Sequence, residues 1–198
     1  MNLIDILVII SLAVFYLLFI GRTVLLYKKG IKVFVIGTST KKLFDAILEN
    51  ILMPVLLIWS ILVVITALQV DLPIIISKLW IESVWMKYIG ILFCYMGLIL
   101  FLWALISFGQ AWRIGIDENN ADELITKGIF RYSRNPVFLF MDLYFVGIML
   151  VYPNIVFIII AIGAIIGIHL QILREEKFLL KKFGEKYIEY QNQTRRYI

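Results

Sequence analysis

The sequence predicts an all-α integral membrane protein of about five transmembrane helices, with a C-terminal helical hairpin and a cytoplasmic amphipathic helix. Three observations lead to this prediction. Of the 198 residues, 62% are hydrophobic and only 17% are charged, which is too apolar for a water-facing surface of that size. Stretches without charge recur along the chain, and a helix needs about 20 apolar residues to cross a bilayer. Lys and Arg are abundant in alternate loops, as in proteins with a fixed membrane orientation.

The first three spans are predicted over residues 3–20, 51–68 and 88–108. Asp5 is the only charged residue in the first, and the other two contain none. The first stretch has neither a basic leading region nor a small-residue cleavage site, so a retained helix is expected rather than a signal peptide.

Spans four and five are predicted over residues 136–152 and 155–173. Asp142 is the only charged residue in the fourth span, and the fifth is uncharged if its histidine is neutral. Residues 152–154 form a connection so short that the two helices must run antiparallel. The hairpin therefore brings the start of span four beside the end of span five.

Beyond the last span, residues 175–190 predict an amphipathic helix at the interface, bent at Gly184. Its apolar positions recur at helical spacing: Leu179, Leu180, Phe183, Tyr187 and Tyr190. Within span five, Gly163 and Gly167 have the spacing of small residues that allow close helix packing. No repeat or second domain is visible, so residues 1–198 are expected to form one membrane domain.

The distribution of Lys and Arg predicts the orientation. Five lysines occur in residues 28–42, four basic residues in 113–134 and seven in 174–196, whereas the loop between spans two and three has only Lys78 and Lys87. The N-terminus is therefore expected outside and the C-terminus in the cytoplasm, in a bacterial plasma membrane. The net charge of +5 is dispersed over these segments, which favours a lipid partner over nucleic acid. The oligomeric state stays open.

Two polar segments should meet at the cytoplasmic end of the hairpin. Arg134 and Asn135 precede Pro136, while Glu175 and Glu176 follow span five. One interpretation is structural: Asn caps the helix, Pro suits its first position and the acids pair with nearby bases. The other is functional: the helix N-terminus with Arg134 binds an anion, and the two acids bind a cation.

Three polar residues lie within the predicted spans. Asp142 is a candidate functional carboxylate, although it could instead bond to a neighbouring helix. His169 and Gln171 could contact a substrate or be satisfied interior residues. The sequence contains no glycine-rich phosphate loop, metal-ligand cluster or nucleophile elbow. Chemistry supplied by a cofactor is therefore favoured over a covalent intermediate.

Two motifs resemble those of the membrane methyltransferases, which include isoprenylcysteine carboxyl methyltransferases and phospholipid N-methyltransferases. Residues 128–138 read Gly-Ile-Phe-Arg-Tyr-Ser-Arg-Asn-Pro-Val-Phe, and residues 175–190 read Glu-Glu-x-x-Leu-x-x-x-Phe-Gly-x-x-Tyr-x-x-Tyr. The resemblance covers about residues 110–190. The family pattern has His where Asn135 stands and Tyr where Phe138 stands. Gln171 occupies the position of an Arg that is implicated in prenylcysteine binding, so this sequence departs from that branch.

The resemblance implies S-adenosylmethionine as cofactor, bound in residues 109–198 at the cytoplasmic end of the hairpin. The implied cofactor contacts are Glu123, Leu124, Ile125, Phe130, Asn135, Pro136, Phe138, Glu175 and Glu176. Arg134 and Asp142 are the candidate catalytic residues, and His169 and Gln171 the candidate substrate contacts; no metal is implied.

The expected function is methyl transfer to a carboxylate, amine or thiol of a lipophilic or small membrane-accessible acceptor. Two alternatives stay open. One is an NADPH-dependent sterol or enone reductase, which would need a basic cluster for the 2′-phosphate. The other is a membrane accessory or transport protein without catalytic activity.

Overall fold

The computed structural model describes residues 1–31, 33, 43–70, 73–74, 78–112 and 124–198, and this part of the chain is helical with no strand. The helices are α1 (Leu3–Tyr27), α2 (Leu43–Ala67), α3 (Val84–Phe108), α4 (Pro136–Val151), α5 (Ile155–Phe183) and α6 (Glu185–Gln193). Short 3-10 turns span Gly109–Ala111 and Gly128–Arg131. The predicted all-α class is confirmed.

Among the residues that the structure describes, three helical stretches are long and apolar enough to cross a membrane: α1, α3 with the turn that follows it (Val84–Ala111), and α5. Over an 18-residue window within each stretch, the mean hydropathy is 2.9, 2.5 and 2.6. Two shorter apolar helices, Pro54–Ala67 within α2 and all of α4, accompany them. The 16 residues of α4 extend only about 24 Å, somewhat less than the hydrocarbon thickness of about 30 Å. The described part of the chain thus has five apolar helices of unequal length.

The hairpin of α4 and α5 is confirmed. α4 begins at Pro136, whose ring suits the first helical position and whose missing N–H is not needed there. α5 begins after Asn154, whose side-chain oxygen accepts a 3.0 Å hydrogen bond from the backbone N–H of Phe157. The connection is therefore a capped turn that fixes the two helices antiparallel.

Glycines bring α3 and α4 into backbone contact. A Cβ atom added to Gly147 would lie 2.6 Å from Cys94 Sγ and 2.7 Å from the Gly90 carbonyl oxygen, so no larger residue fits there. Gly163 and Gly167 do not make the expected close packing within the described part of the chain, because an added Cβ at either position would meet none of its atoms within 4 Å. Glycine spacing indicates a smooth helix face but not whether a neighbour covers it.

A buried carboxylate ties together the end of the bundle at which α1 begins. Asp5 is 4% exposed and accepts hydrogen bonds from Tyr152 Oη at 3.0 Å and Gln69 Nε2 at 3.0 Å. It also accepts a 2.9 Å bond from the backbone N–H of Asn2, within a capping box that starts α1. These bonds link α1 to the turn after α2 and to the end of α4.

The predicted amphipathic helix is present, but its first half is a continuation of α5. The helix runs unbroken to Phe183, and Gly184 then adopts a positive φ of 54°, as predicted for the bend. One face of α6 contributes to a buried group that we call the tyrosine cluster: Ala104, Ile129, Phe130, Tyr187 and Tyr190. Leu179 and Phe183 pack against this cluster, whereas Leu180 is exposed. The cluster fastens α6 to the 3-10 turn that precedes α4.

Candidate active site at the open end of the hairpin

Glu176 is the centre of a polar site at the end of the hairpin where α4 begins. Its side chain is buried, and its Oε1 accepts from Arg134 Nη2 at 2.9 Å and Nε at 3.2 Å. Asn135 Nδ2 donates to the same oxygen at 3.2 Å. The predicted meeting of the two polar segments is therefore confirmed. A carboxylate here, with cationic and amide donors around it, is a site for recognising charge.

Arg134 connects the hairpin to the segment that follows α6. Its side chain is 9% exposed, and its Nη1 donates to the backbone carbonyls of Gln191, at 3.3 Å, and Thr194. Its own backbone N–H donates to the carbonyl of Arg195 at 3.0 Å. A buried guanidinium with several donors in a fixed plane is suited to an oxygen-rich anion such as a carboxylate.

Asn135 stands at the N-cap position of α4, yet its side chain makes no capping bond. Instead Nδ2 donates to Glu176 and, at 3.2 Å, to the backbone carbonyl of Arg196. Its backbone N–H donates to Ser133 Oγ at 3.1 Å. The predicted capping role is therefore not what this amide does, and its donors point into the site.

Residues 194–198, which we call the closing segment, lie across this site. Arg196 Nη2 is 2.8 Å from Glu176 Oε2, and Arg196 Nε is 3.1 Å from the same atom. These bonds to Glu176 raise the pKa of the Arg196 guanidinium above its ordinary value. The Arg196 carbonyl also accepts a 3.4 Å bond from Ser133 Oγ. Glu176 is thus held between two guanidinium groups.

The closing segment also reaches the polar residues of the spans. Tyr197 Oη is 2.7 Å from His169 Nδ1, and the two rings are stacked. Burial raises the pKa of the Tyr197 hydroxyl, and the negative charge of Asp142 raises it further. Asp142 is therefore close enough to Tyr197 for its charge to affect that hydroxyl. Within the described residues, Asp142 Oδ1 is buried and has no hydrogen-bond partner. Asp142 and His169 of the hairpin therefore form a second polar group together with Tyr197 of the closing segment.

Glu175 and Gln171 are half-buried and belong to one face of α5. Gln171 Nε2 donates to Glu175 Oε1 at 3.2 Å, one helical turn away. Its neighbour Glu176 accepts from Arg134 and Asn135.

The other predicted cofactor contacts differ in how deeply they are buried and in what they pack against. Phe130 belongs to the tyrosine cluster, with its ring centroid 4.7 Å from that of Phe108. Pro136 is buried and Phe138 half-buried at the start of α4. Leu124 and Ile125 pack against the tyrosine cluster. Glu123 lies outside the described residues.

A cavity of about 440 Å³ opens beside α6. Its lining includes Leu124, Thr126, Phe183, Lys186, Glu189, Tyr190 and Gln193. Leu124 is the one predicted cofactor contact among these residues. α6 lines this cavity and also borders the site at Glu176. The carbonyls of Gln191, in α6, and of Thr194, directly after it, accept from Arg134.

Sequence reasoning missed Arg196 and Tyr197. Neither belongs to a motif, and membrane orientation already accounts for basic residues in this region. The signal that could have found Arg196 is chemical: two adjacent acids at an interface need compensating cations, and Arg196 is 20 residues from Glu176 along the chain.

A family model described as phospholipid methyltransferase matches residues 85–186 of the chain. The match covers more than half of the sequence and contains Arg134, Asn135, Asp142, His169 and Glu176, whereas the closing segment lies outside it. No curated protein and no solved structure matches the chain.

Proposed function

Because the chain belongs to the phospholipid methyltransferase family, whose members are membrane methyltransferases, we propose that it transfers a methyl group from S-adenosylmethionine to a lipophilic acceptor. The acceptor atom would belong to a carboxylate, an amine or a thiol. The observation that carries this proposal is the arrangement of Arg134 and Asn135 around Glu176 at the start of α4.

These residues fit the amino-acid part of S-adenosylmethionine, which carries a carboxylate and an ammonium group. Glu176 would bind the ammonium, while Arg134 and Asn135 would donate to the carboxylate near the positive end of α4. The closing segment supports this assignment, because it makes contacts of both kinds. The Arg196 guanidinium lies on Glu176, and backbone carbonyl oxygens of the segment accept from Arg134 and Asn135. The site therefore accepts both kinds of group at once.

When bound, the cofactor supplies an electrophilic methyl group on a sulfonium, so the chain needs no nucleophile of its own. What the chain must provide is a fixed position for the acceptor. Asp142 and His169 lie deeper in the hairpin and would orient the acceptor and take its proton. Gln171 lies half a turn from His169, on another face of α5, where it donates to Glu175. A lipophilic acceptor would reach these residues from the bilayer, between α4 and α5.

The open end of the hairpin would face the cytoplasm of a bacterial cell. This orientation rests on the basic residues in the loops at that end. Cofactor would then enter from water and acceptor from the membrane.

Transfer of radioactive methyl label from S-adenosylmethionine to lipid tests the proposal. Membrane vesicles containing the protein should be supplied with amine, carboxylate and thiol lipids in separate reactions. One acceptor class should acquire label in inside-out vesicles, and Glu176→Gln should remove it. Label in right-side-out vesicles alone would contradict the orientation. No label in any lipid class, from protein that remains folded, would contradict the methyltransferase proposal.

A further inference from the structure

The closing segment occupies the position in which the proposed function places the cofactor. Arg196 lies on Glu176, and the carbonyls of Thr194, Arg195 and Arg196 accept from Arg134 and Asn135. We propose that residues 194–198 are an autoinhibitory plug that must leave the site before the cofactor binds. This inference rests on the proposed function and concerns the regulation of the same site.

The plug works by matching the chemistry of the ligand. An amino-acid group presents one cation and one set of anionic oxygens, and the closing segment presents a guanidinium and three carbonyl oxygens to the same partners. Glu176 Oε2 can hold the Arg196 guanidinium or a ligand ammonium in the same position, but not both. Binding of the cofactor and closure of the segment therefore exclude each other, and each lowers the apparent affinity of the other.

One movement of the segment would open both halves of the site. Tyr197 bonds to His169 at 2.7 Å on the side where the acceptor is expected, while its neighbour Arg196 blocks the cofactor side. Withdrawal of these two adjacent residues frees Glu176 and His169 together. The enzyme would then be inactive towards both substrates until the segment moves.

The structure of the segment allows this movement. It begins at Thr194, where α6 ends, and has no regular secondary structure. Arg196 and Tyr197 make hydrogen bonds to Glu176 and His169, and the Arg196 side chain is 37% exposed, so water can replace its bonds. α6 itself is fixed by Tyr187 and Tyr190 in the tyrosine cluster. The segment can therefore swing about the end of α6 without disturbing that helix.

Calorimetric titration with S-adenosylhomocysteine tests the plug, using wild-type protein, Arg196→Gln and Arg195→Gln. Arg195 is the matched control, because it loses the same charge from an exposed side chain in the same segment. Arg196→Gln should bind about tenfold more tightly than wild type, since a charge-assisted contact no longer competes. Arg195→Gln should bind like wild type. Tyr197→Phe, which leaves Glu176 untouched, should tighten binding about two- to threefold.

Limited trypsin digestion gives a second readout that does not depend on activity. In wild type, S-adenosylhomocysteine should increase cleavage after Arg195 and Arg196, because the segment leaves the site. Arg196→Gln should increase cleavage after Arg195 even without ligand. Thermal melting of each variant confirms that it is folded.

The alternative outcomes separate the plug from the proposed function. Weaker binding by Arg196→Gln would mean that Arg196 helps to hold the ligand, which overturns the plug but keeps the cofactor. Equal binding by all variants with unchanged cleavage also overturns the plug alone. No binding by any folded variant overturns the plug and the cofactor assignment together.

Discussion

The two ends of the bundle each contain a buried carboxylate, and the partners of these two groups differ in kind. Among the described residues, Asp5 accepts only from neutral donors, which are Tyr152, Gln69 and a backbone N–H. Glu176 is bonded to two guanidinium groups and an amide. Both residues are nearly inaccessible, at 4% and 6% exposure.

The difference indicates separate purposes for the two carboxylates. The donors of Asp5 lie on elements that the fold fixes, so the bonds join helices and offer nothing to a ligand. Glu176 lies beside two cations, although one would balance its charge. One of the two, Arg196, belongs to a segment without regular structure. An exchangeable cation on a buried carboxylate is what a binding site requires, because its departure leaves a place for another cation.

Replacing Glu176 should weaken ligand binding more than any other single change at either end of the bundle. Glu176→Gln removes the charge that binds the ligand ammonium and should weaken S-adenosylhomocysteine binding by about 100-fold or more, as measured by calorimetry. Glu175→Gln is the matched control, with the same change one residue away. It should alter binding by no more than about threefold, as expected for a half-buried side chain that bonds to Gln171. The reverse order of the two effects would transfer the cofactor contact to Glu175.

A smaller effect of another kind is expected at the opposite end. Tyr152→Phe removes the hydroxyl that donates to Asp5 and should lower the free energy of unfolding by about 1–2 kcal/mol. Thermal melting in detergent would detect this change. Ligand affinity should stay as in wild type, because Tyr152 closes the far end of the hairpin. A loss of affinity without a loss of stability would show that the two ends do not have separate purposes.

The hairpin and its charged end were predictable because local rules determine them. Residues 152–154 are too few for any but an antiparallel connection, and Pro136 fixes the start of α4. These two constraints are enough to bring Arg134 to the level of Glu176. The predicted bend at Gly184 follows equally from the freedom of glycine at positive φ.

Contacts that the hairpin connection does not determine were not predictable. Gly163 and Gly167 have the spacing for close packing, but Gly90 and Gly147 make the contact, since spacing does not specify which helix faces which. The sequence does not single out Arg196, because Lys and Arg are common in all cytoplasmic segments of membrane proteins. Its bond to Glu176 depends on how α6 directs the closing segment back to the hairpin.

The most direct test of the central claim is a titration of purified wild-type protein with S-adenosylhomocysteine, with NADPH titrated in parallel. The methyltransferase assignment predicts saturable binding of S-adenosylhomocysteine and none of NADPH. Binding of NADPH alone would favour the reductase alternative, and binding of neither by folded wild type and Arg196→Gln would contradict a cofactor site at Glu176.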